Sequence, residues 1–552
     1  MYKDGQLYIA HSDNGPINLI GKMANRHGLI AGATGTGKTV SLQVMAETFS
    51  QCGVPCFMAD MKGDLSGISQ KGAMSSFIEK RCPEFGIENP QFAGCPTRFF
   101  DVFGEQGYPM RTTVSAMGPQ LLARLMELNE TQAGVLNIVF RIADDQNLLL
   151  IDLKDLRLML DFVGKNAAEF TTRYGNVSSA SVGAIQRSVL AIESEGGDRF
   201  FGEPAFDVQD LLDTQDGKGI LNVLAADKLM LNPKLYSTYL LWLMTELYTT
   251  LPEVGDLPLP KLIFFFDEAH MLFDGTSKAL TDKIEQVIRL IRSKGVGIYF
   301  ITQSPSDVPV DILGQLGNRI QHALRAFTPQ DQKAVRAAAQ TFRVNPAFKT
   351  EEAIMELGTG EALVSFLDEK GSPSIVERAK ILFPLSQIGA ITEGQRLDIK
   401  NAAPAKIKAY DQSIDRESAY EVLNERYQQA AREAKEAQKQ LEAEKEAKAK
   451  EKEKAAAKKS SGKTKKTITR TIFGTMIGAV ATSFARSLGT QTAKAITGKK
   501  TTTKKSTSKS TKSSTSKKSG SSAGTILGKA AKTATTTATR KVTEEILKSI
   551  LK

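Results

Sequence analysis

The 552-residue sequence is poor in the residue types that hold metals and build redox centres: it has 4 cysteines and 4 histidines. Cys52, Cys56, Cys82 and Cys95 show no CxxC spacing and no histidine pairing of the kind zinc requires. We expect reduced, mostly buried thiols. Long apolar runs are also missing. No stretch reaches about 18 apolar residues, so a membrane-spanning helix is not expected. The opening MYKDGQLYIAHSDNG has no basic segment leading into an apolar one, so it does not read as a signal peptide. These absences point to a cytoplasmic, globular protein, and a length of 552 residues, too great for one ordinary core, to two or three folded units.

Acidic residues are absent from one long stretch. Between Lys454 and Thr543 there are 21 lysines and arginines and no Asp or Glu, against a net charge of +11 for the whole chain. The last nine residues are neutral overall, so the first 453 residues carry a net charge of −10. The folded part is acidic and the basic excess is a tail. The whole-chain charge therefore says nothing about the surface of the core.

What is present is an alternation of strand and helix. GLIAG is a short apolar run, ATGTGK a glycine-rich turn, TVSLQVMAETFSQCG a helix ending at Gly53, and VPCFMAD a second strand ending at Asp60. This βαβ opening predicts an α/β fold with a parallel sheet. We expect the first part of the core over residues 1–104 and a mainly helical insertion over 105–215. The second part of the core follows over 216–400, closing between Pro384 and Pro404. It contains the strand KLIFFFDEAH, the amphipathic helix KIEQVIRLIRSKG, the strand VGIYFITQ and a hairpin turning at DEKGSP. Residues 401–459 are expected to form a charged, solvated helical extension. Residues 460–552 read as a disordered basic tail with two short apolar helices, each carrying Gly-Thr-apolar-apolar-Gly (Gly474–Gly478 and Gly524–Gly528). They either pack on the protein itself or dock on a partner or an anionic membrane surface.

GATGTGKT, Gly32 to Thr39, matches the phosphate-loop pattern G-x-x-x-x-G-K-[ST]. Gly32, Gly35 and Gly37 permit the turn and let backbone amides approach phosphate oxygens. Ala33, Thr34, Thr36 and Val40 complete the cradle, and the helix that follows aims its amides at the same anion. Lys38 is placed to reach the β and γ phosphates of ATP, and the Thr39 hydroxyl to hold Mg2+. In LIFFFDEAH, Asp267 emerges at the carboxyl end of a buried strand, where open α/β sheets bind ligands. Asp267 is the candidate second carboxylate for Mg2+, and Glu268 the candidate general base for the attacking water. Gln303, at the tip of VGIYFITQ, is placed to bond the γ phosphate or that water. Asp60 either joins the rim of the site or starts the turn Lys62-Gly63-Asp64. A multi-subunit motor needs a cation from a neighbour, for which Arg292 is the first candidate and Arg319 or Arg325 the alternatives.

Together, HGLIAGATGTGKTVSLQ, MADMKGDLSG, LIFFFDEAH, RSKGVGIYFITQSPSDVP and LGNRIQHALRAFTPQDQ resemble the HerA and FtsK class of P-loop ATPases. The likeness is strongest to the bacterial HerA-like helicase C-terminal family, and it covers about residues 5 to 425. The resemblance implies a RecA-like core, a hexameric ring and ATP-driven movement along DNA. The letters DEAH do not mark a helicase of the DEAH-box group, because QLGNRIQHALRAF is not that group's late arginine motif. His270 is read as a residue at a helix start or behind the site. Three functions stay open: a DNA motor, an ATP-dependent switch acting on a protein or membrane partner through its tail, and a scaffold with a slow ATPase. Intact Lys38, Thr39, Asp267 and Glu268 argue against the last.

Overall fold

The computed structural model describes residues 1–274 and 278–459. The two apolar islands and the Lys-rich linker expected over 460–552 lie outside them. The chain divides into two units, Met1–Asn424 and Glu425–Lys552.

The first unit is built on one 13-stranded sheet. An N-terminal hairpin pairs β1 (Gln6–Ser12) with β2 (Gly15–Leu19), and β3 (Gly28–Ala31) leads into the phosphate loop. Then come β4 (Cys56–Asp60), β5 (Thr97–Asp101), β6 (Leu221–Ala225) and β7 (Leu262–Phe266). The last four are β8 (Val296–Thr302), β9 (Asn318–Gln321), β10 (Glu361–Ser365) and β11 (Glu377–Ile381). Across the sheet the order is β1-β11-β10-β9-β3-β8-β7-β4-β6-β5, with two-residue strands at both edges. From β9 to β5 every neighbour is parallel. The C-terminal hairpin β10–β11 and β1 extend the sheet in antiparallel fashion. One strand, β8, separates the phosphate-loop strand from β7, which Asp267 follows. This is the RecA-like arrangement.

β7, Leu-Ile-Phe-Phe-Phe, is buried throughout because a central parallel strand is covered on both faces. Its alternate residues serve different layers. Ile263 and Phe265 join the core beneath α1 (Lys38–Gln51), where Phe265 lies 6.3 Å from Phe49 and 5.5 Å from Tyr299. Phe264 and Phe266 contact Phe57 and Phe300 on the opposite side. Right-handed crossovers running in opposite directions along the sheet put α1 on one face. They put α7 (Pro233–Thr250) and α8 (Lys278–Ile291) on the other.

Helices fill the span between β5 and β6: α2 (Val114–Leu125), α3 (Glu130–Asp145), α4 (Leu153–Lys165), α5 (Ala167–Tyr174) and α6 (Ser179–Ser194). Reciprocal capping boxes, Asn129 with Gln132 and Asp152 with Asp155, start α3 and α4. After β9 come α9 (Pro329–Gln340) and, beyond β11, α10 (Glu393–Ala402).

The core does not close between Pro384 and Pro404, because the first unit runs to Asn424. Side chains far apart in sequence hold the extra segment. The Tyr410 hydroxyl donates to Asp210 Oδ2 at 2.7 Å, Arg416 forks onto Glu203 with two bonds of 2.7 Å, and Tyr420 N–H donates to Asp155 at 2.8 Å. α11 (Ala419–Lys459) is a 41-residue helix that begins in this segment. Ala419 and Leu423 are buried in the first unit. The described part of the second unit is the remainder of α11, with mostly exposed side chains.

Candidate active site

The phosphate loop is suspended between two strand ends. Gly32 N–H donates to Thr302 O at 3.2 Å and Ala33 N–H to Ala323 O at 2.8 Å. Gly35 and Gly37 have φ of 77° and 113°, which side-chain-bearing residues rarely adopt. Thr34 and Gly35 are exposed at the crown of the loop, while Thr36 is buried. α1 starts at Lys38 with no side-chain cap, so its first amides remain available for an anion. Thr39 and Val40 are half-buried in its first turn. Lys38 is 9% exposed, and its ammonium donates to Ala33 O of its own loop at 3.1 Å. Burial draws its pKa down from the usual lysine value, against the pull of Glu268 and Asp267.

Register brings the carboxylates to the same edge. Phe266 pairs with Ala59 and Thr302 with Ala31, so Asp267, Asp60 and the phosphate loop follow the ends of nearby parallel strands. Asp267 is 4% exposed, and its Oδ2 is buried without a hydrogen-bond partner. Burial, and then the charge of Glu268, raises its pKa to about 6. Glu268 adopts φ 48° and ψ 48°, a left-handed conformation uncommon for a non-glycine residue. Its Oε1 accepts from Lys62 Nζ at 2.5 Å. Its Oε2 has no hydrogen-bond partner, although His270 Nδ1 lies 3.4 Å away. Burial works to raise the Glu268 carboxyl, but Lys62 prevails and holds it below the usual value.

Asp60 organises the turn after β4. One carboxylate oxygen accepts from Lys62 N–H at 3.3 Å and Gly63 N–H at 2.8 Å, and the other from Leu65 N–H at 3.2 Å. Burial, reinforced by Asp64, lifts its pKa to about 7. Gln303 is exposed at the tip of β8, beside the phosphate loop. The arginine candidates differ. Arg319 donates to the carbonyls of Leu316, Thr341 and Leu313 at 2.8–3.0 Å, so in this conformation it staples its own chain. Arg325 donates to Met355 O at 2.9 Å. Arg292 is half-buried just before β8, at the amino ends of the parallel strands and so at the opposite end from the phosphate loop of its own subunit.

Among the described residues no group of three or more His, Cys, Asp or Glu is arranged to hold a metal ion. A Mg2+ ion bound with a nucleotide needs no such group, because phosphate oxygens and water supply most of its ligands. The orphaned Asp267 Oδ2 and the Thr39 hydroxyl at the start of α1 fit that role.

Three contributors were not among the expected site residues. Lys62 touches Glu268. Asp307 accepts from Thr302 Oγ1 at 2.6 Å and Ser304 N–H at 2.8 Å, and so shapes the segment after β8. His322 is fully buried behind the phosphate loop, where it bonds Ser41 Oγ at 2.7 Å and Glu361 O at 2.9 Å. A Cβ on Gly32 would meet His322 Cβ at 2.5 Å, so glycine here allows close packing. MADMKGDL hinted at Lys62 because it follows a strand end, but nothing local marks Asp307 or His322.

No curated protein matches the chain. Several solved structures share partial likeness. The bacterial conjugative coupling protein TrwB, lacking its N-terminal segment, is 14% identical over 68% of this chain and 89% of its own, with a TM-score of 0.46. TrwB in complex with ADP and Mg2+ is 15% identical, with coverages of 67% and 87% and a TM-score of 0.45. VirB4 of Thermoanaerobacter pseudethanolicus is 13% identical, with coverages of 69% and 97% and a TM-score of 0.44. The model of the family described as helicase HerA-like, C-terminal, matches residues 6–505. With its phosphate loop and acidic strand end inside that match, the chain belongs to the HerA-like helicase C-terminal family of P-loop ATPases.

Proposed function

We propose that the chain is a cytoplasmic ATP-hydrolysing motor that assembles as a homo-oligomeric, hexameric ring and acts on DNA. The observation that carries the chemistry is the convergence of Lys38, Asp267 and Glu268 at the carboxyl ends of neighbouring parallel strands. The DNA substrate and the ring are expectations from the family.

In this reading the amides at the start of α1 cradle the phosphates, and Lys38 leaves Ala33 O to bind the β and γ phosphates. Thr39 and Asp267 would hold Mg2+, which when bound neutralises charge on those phosphates. Glu268 accepts a proton from water as the water oxygen bonds to the γ-phosphorus. The bond from that phosphorus to the bridging oxygen breaks, leaving ADP and inorganic phosphate. Gln303 orients the water or the γ phosphate. Arg292 is our first choice for the cation reaching a neighbouring subunit's site. Arg319 would first have to release its three carbonyls.

The charge split favours a second reading, an ATP-dependent switch that engages a protein or an anionic surface through its basic tail. ATPase rates of the full chain, with and without single- and double-stranded DNA across a salt series, separate the two. The motor reading expects salt-sensitive stimulation by DNA. Unchanged rates together with tail-dependent binding to anionic vesicles would favour the switch. Glu268→Gln should lower turnover by about 10²–10⁴-fold while nucleotide binding persists. Intact turnover in that variant would remove Glu268 from the mechanism.

A further inference from the structure

We propose that Lys62 distinguishes ATP from ADP: it holds Glu268 in the nucleotide-free site and passes to the γ phosphate when a triphosphate enters. The inference rests on the ATPase reading above and deepens it.

A rigid chain of contacts leads to Lys62. The buried Asp60 carboxylate gathers the N–H groups of Lys62, Gly63 and Leu65, which sets the turn. From that turn the Lys62 side chain, 49% exposed, reaches across to Glu268, which is 9% exposed. Their 2.5 Å contact spans 206 residues of sequence. The other cation of the site, Lys38, is buried and bonded to its own loop. Lys62 is thus the half-exposed cation beside the water-activating carboxylate, open to solvent and to an arriving ligand.

The geometry of hydrolysis then forces a choice of partner. The attacking water must touch both Glu268 and the γ-phosphorus at roughly 3 Å each. The γ phosphate therefore comes within about 6 Å of Glu268, inside the reach of a lysine side chain. It offers several strong acceptor oxygens and more negative charge than one carboxylate. A Glu268 still paired with Lys62 is a poor base, and releasing the pair frees it for the water. ADP offers no γ phosphate, so with ADP the ion pair persists.

The test measures binding of ADP and of a non-hydrolysable ATP analogue, with Mg2+, to the full chain by calorimetry. The proteins are wild type, Lys62→Met, Lys62→Arg, Glu268→Gln and the Lys62→Met/Glu268→Gln double variant. Lys62→Met should weaken the analogue roughly tenfold, the scale of one charge-assisted hydrogen bond, and leave ADP within about twofold. Lys62→Arg should restore most of the preference. Glu268→Gln should raise the analogue-to-ADP preference, because Lys62 then has no ion pair to leave, and the double variant should lose that gain. Equal weakening of both nucleotides by Lys62→Met, or an unchanged preference in Glu268→Gln, overturns the proposal. If Lys62→Met does not fold, Lys62→Arg and Glu268→Gln still decide it. Turnover is followed separately: full activity in Glu268→Gln would defeat the ATPase assignment, whatever the binding ratios show.

Discussion

Two of the four histidines are locked neutral in opposite tautomers. His27 Nδ1 accepts Ile298 N–H at 3.0 Å, so its Nε2 donates to Ile288 O at 2.9 Å. His322 Nδ1 donates to Glu361 O, and its Nε2 accepts from the Ser41 hydroxyl. Burial lowers each pKa from 6.5 to about 4. The unfolded chain therefore takes up these protons at a higher pH than the folded chain. Each histidine's stabilising share is complete above about 6.5 and is lost as pH falls toward 4. Asp60 and Asp267 oppose this, because their raised values favour the folded state on acidification. Only a difference measurement isolates one group. Between pH 7 and 5 the stability gap between wild type and His322→Gln should shrink by about 2 kcal/mol in urea unfolding. A gap independent of pH would mean that His322 takes up its proton at the same pH in the folded and unfolded chains. The residues of the phosphate loop and the pair Asp267–Glu268 were legible because each motif is contiguous. His322 was not, because its partners Ser41 and Glu361 lie 281 and 39 residues away.

At the scale of elements, α1 is anchored at both ends. Its start carries the phosphate loop, and its buried Glu47 accepts Leu385 N–H and Ser386 N–H at 2.8 Å each and the Ser386 hydroxyl. Gln43 adds a bond of 2.8 Å to Gln387 O. The segment after β11 thus clamps the helix that cradles the phosphates. Glu47→Ala leaves two buried backbone donors without acceptors, and should destabilise the chain by about 3 kcal/mol in chemical unfolding. A loss below about 1 kcal/mol would show that water replaces the carboxylate. The strands were readable from unbroken apolar runs such as LIFFF, and α8 from its periodic apolar face. The role of residues 385–424 was not, because their sequence is polar and their hold on the core comes from single side chains such as Tyr410 and Arg416.

At the scale of the whole molecule, charge is divided between an acidic first 453 residues and a basic remainder. Truncation after Lys459 should leave ATP turnover within about twofold and sharply reduce low-salt retention on DNA, since counterion release scales with the basic residues engaged. A truncated chain that binds DNA as tightly as the full one would place a basic track on the acidic unit itself. Among the described residues no helix is long and apolar enough to cross a membrane. The sequence by itself determined the α/β class, the phosphate loop and the acidic strand end, because each depends on neighbours within a few residues. Only the tertiary structure decided what surrounds them. Strand order placed β8 between the two motifs, parallel register set Asp267 beside Asp60, and the turn after β4 delivered Lys62 to Glu268. Those are contacts across a sheet between residues some 200 positions apart, and local patterning carries no record of them.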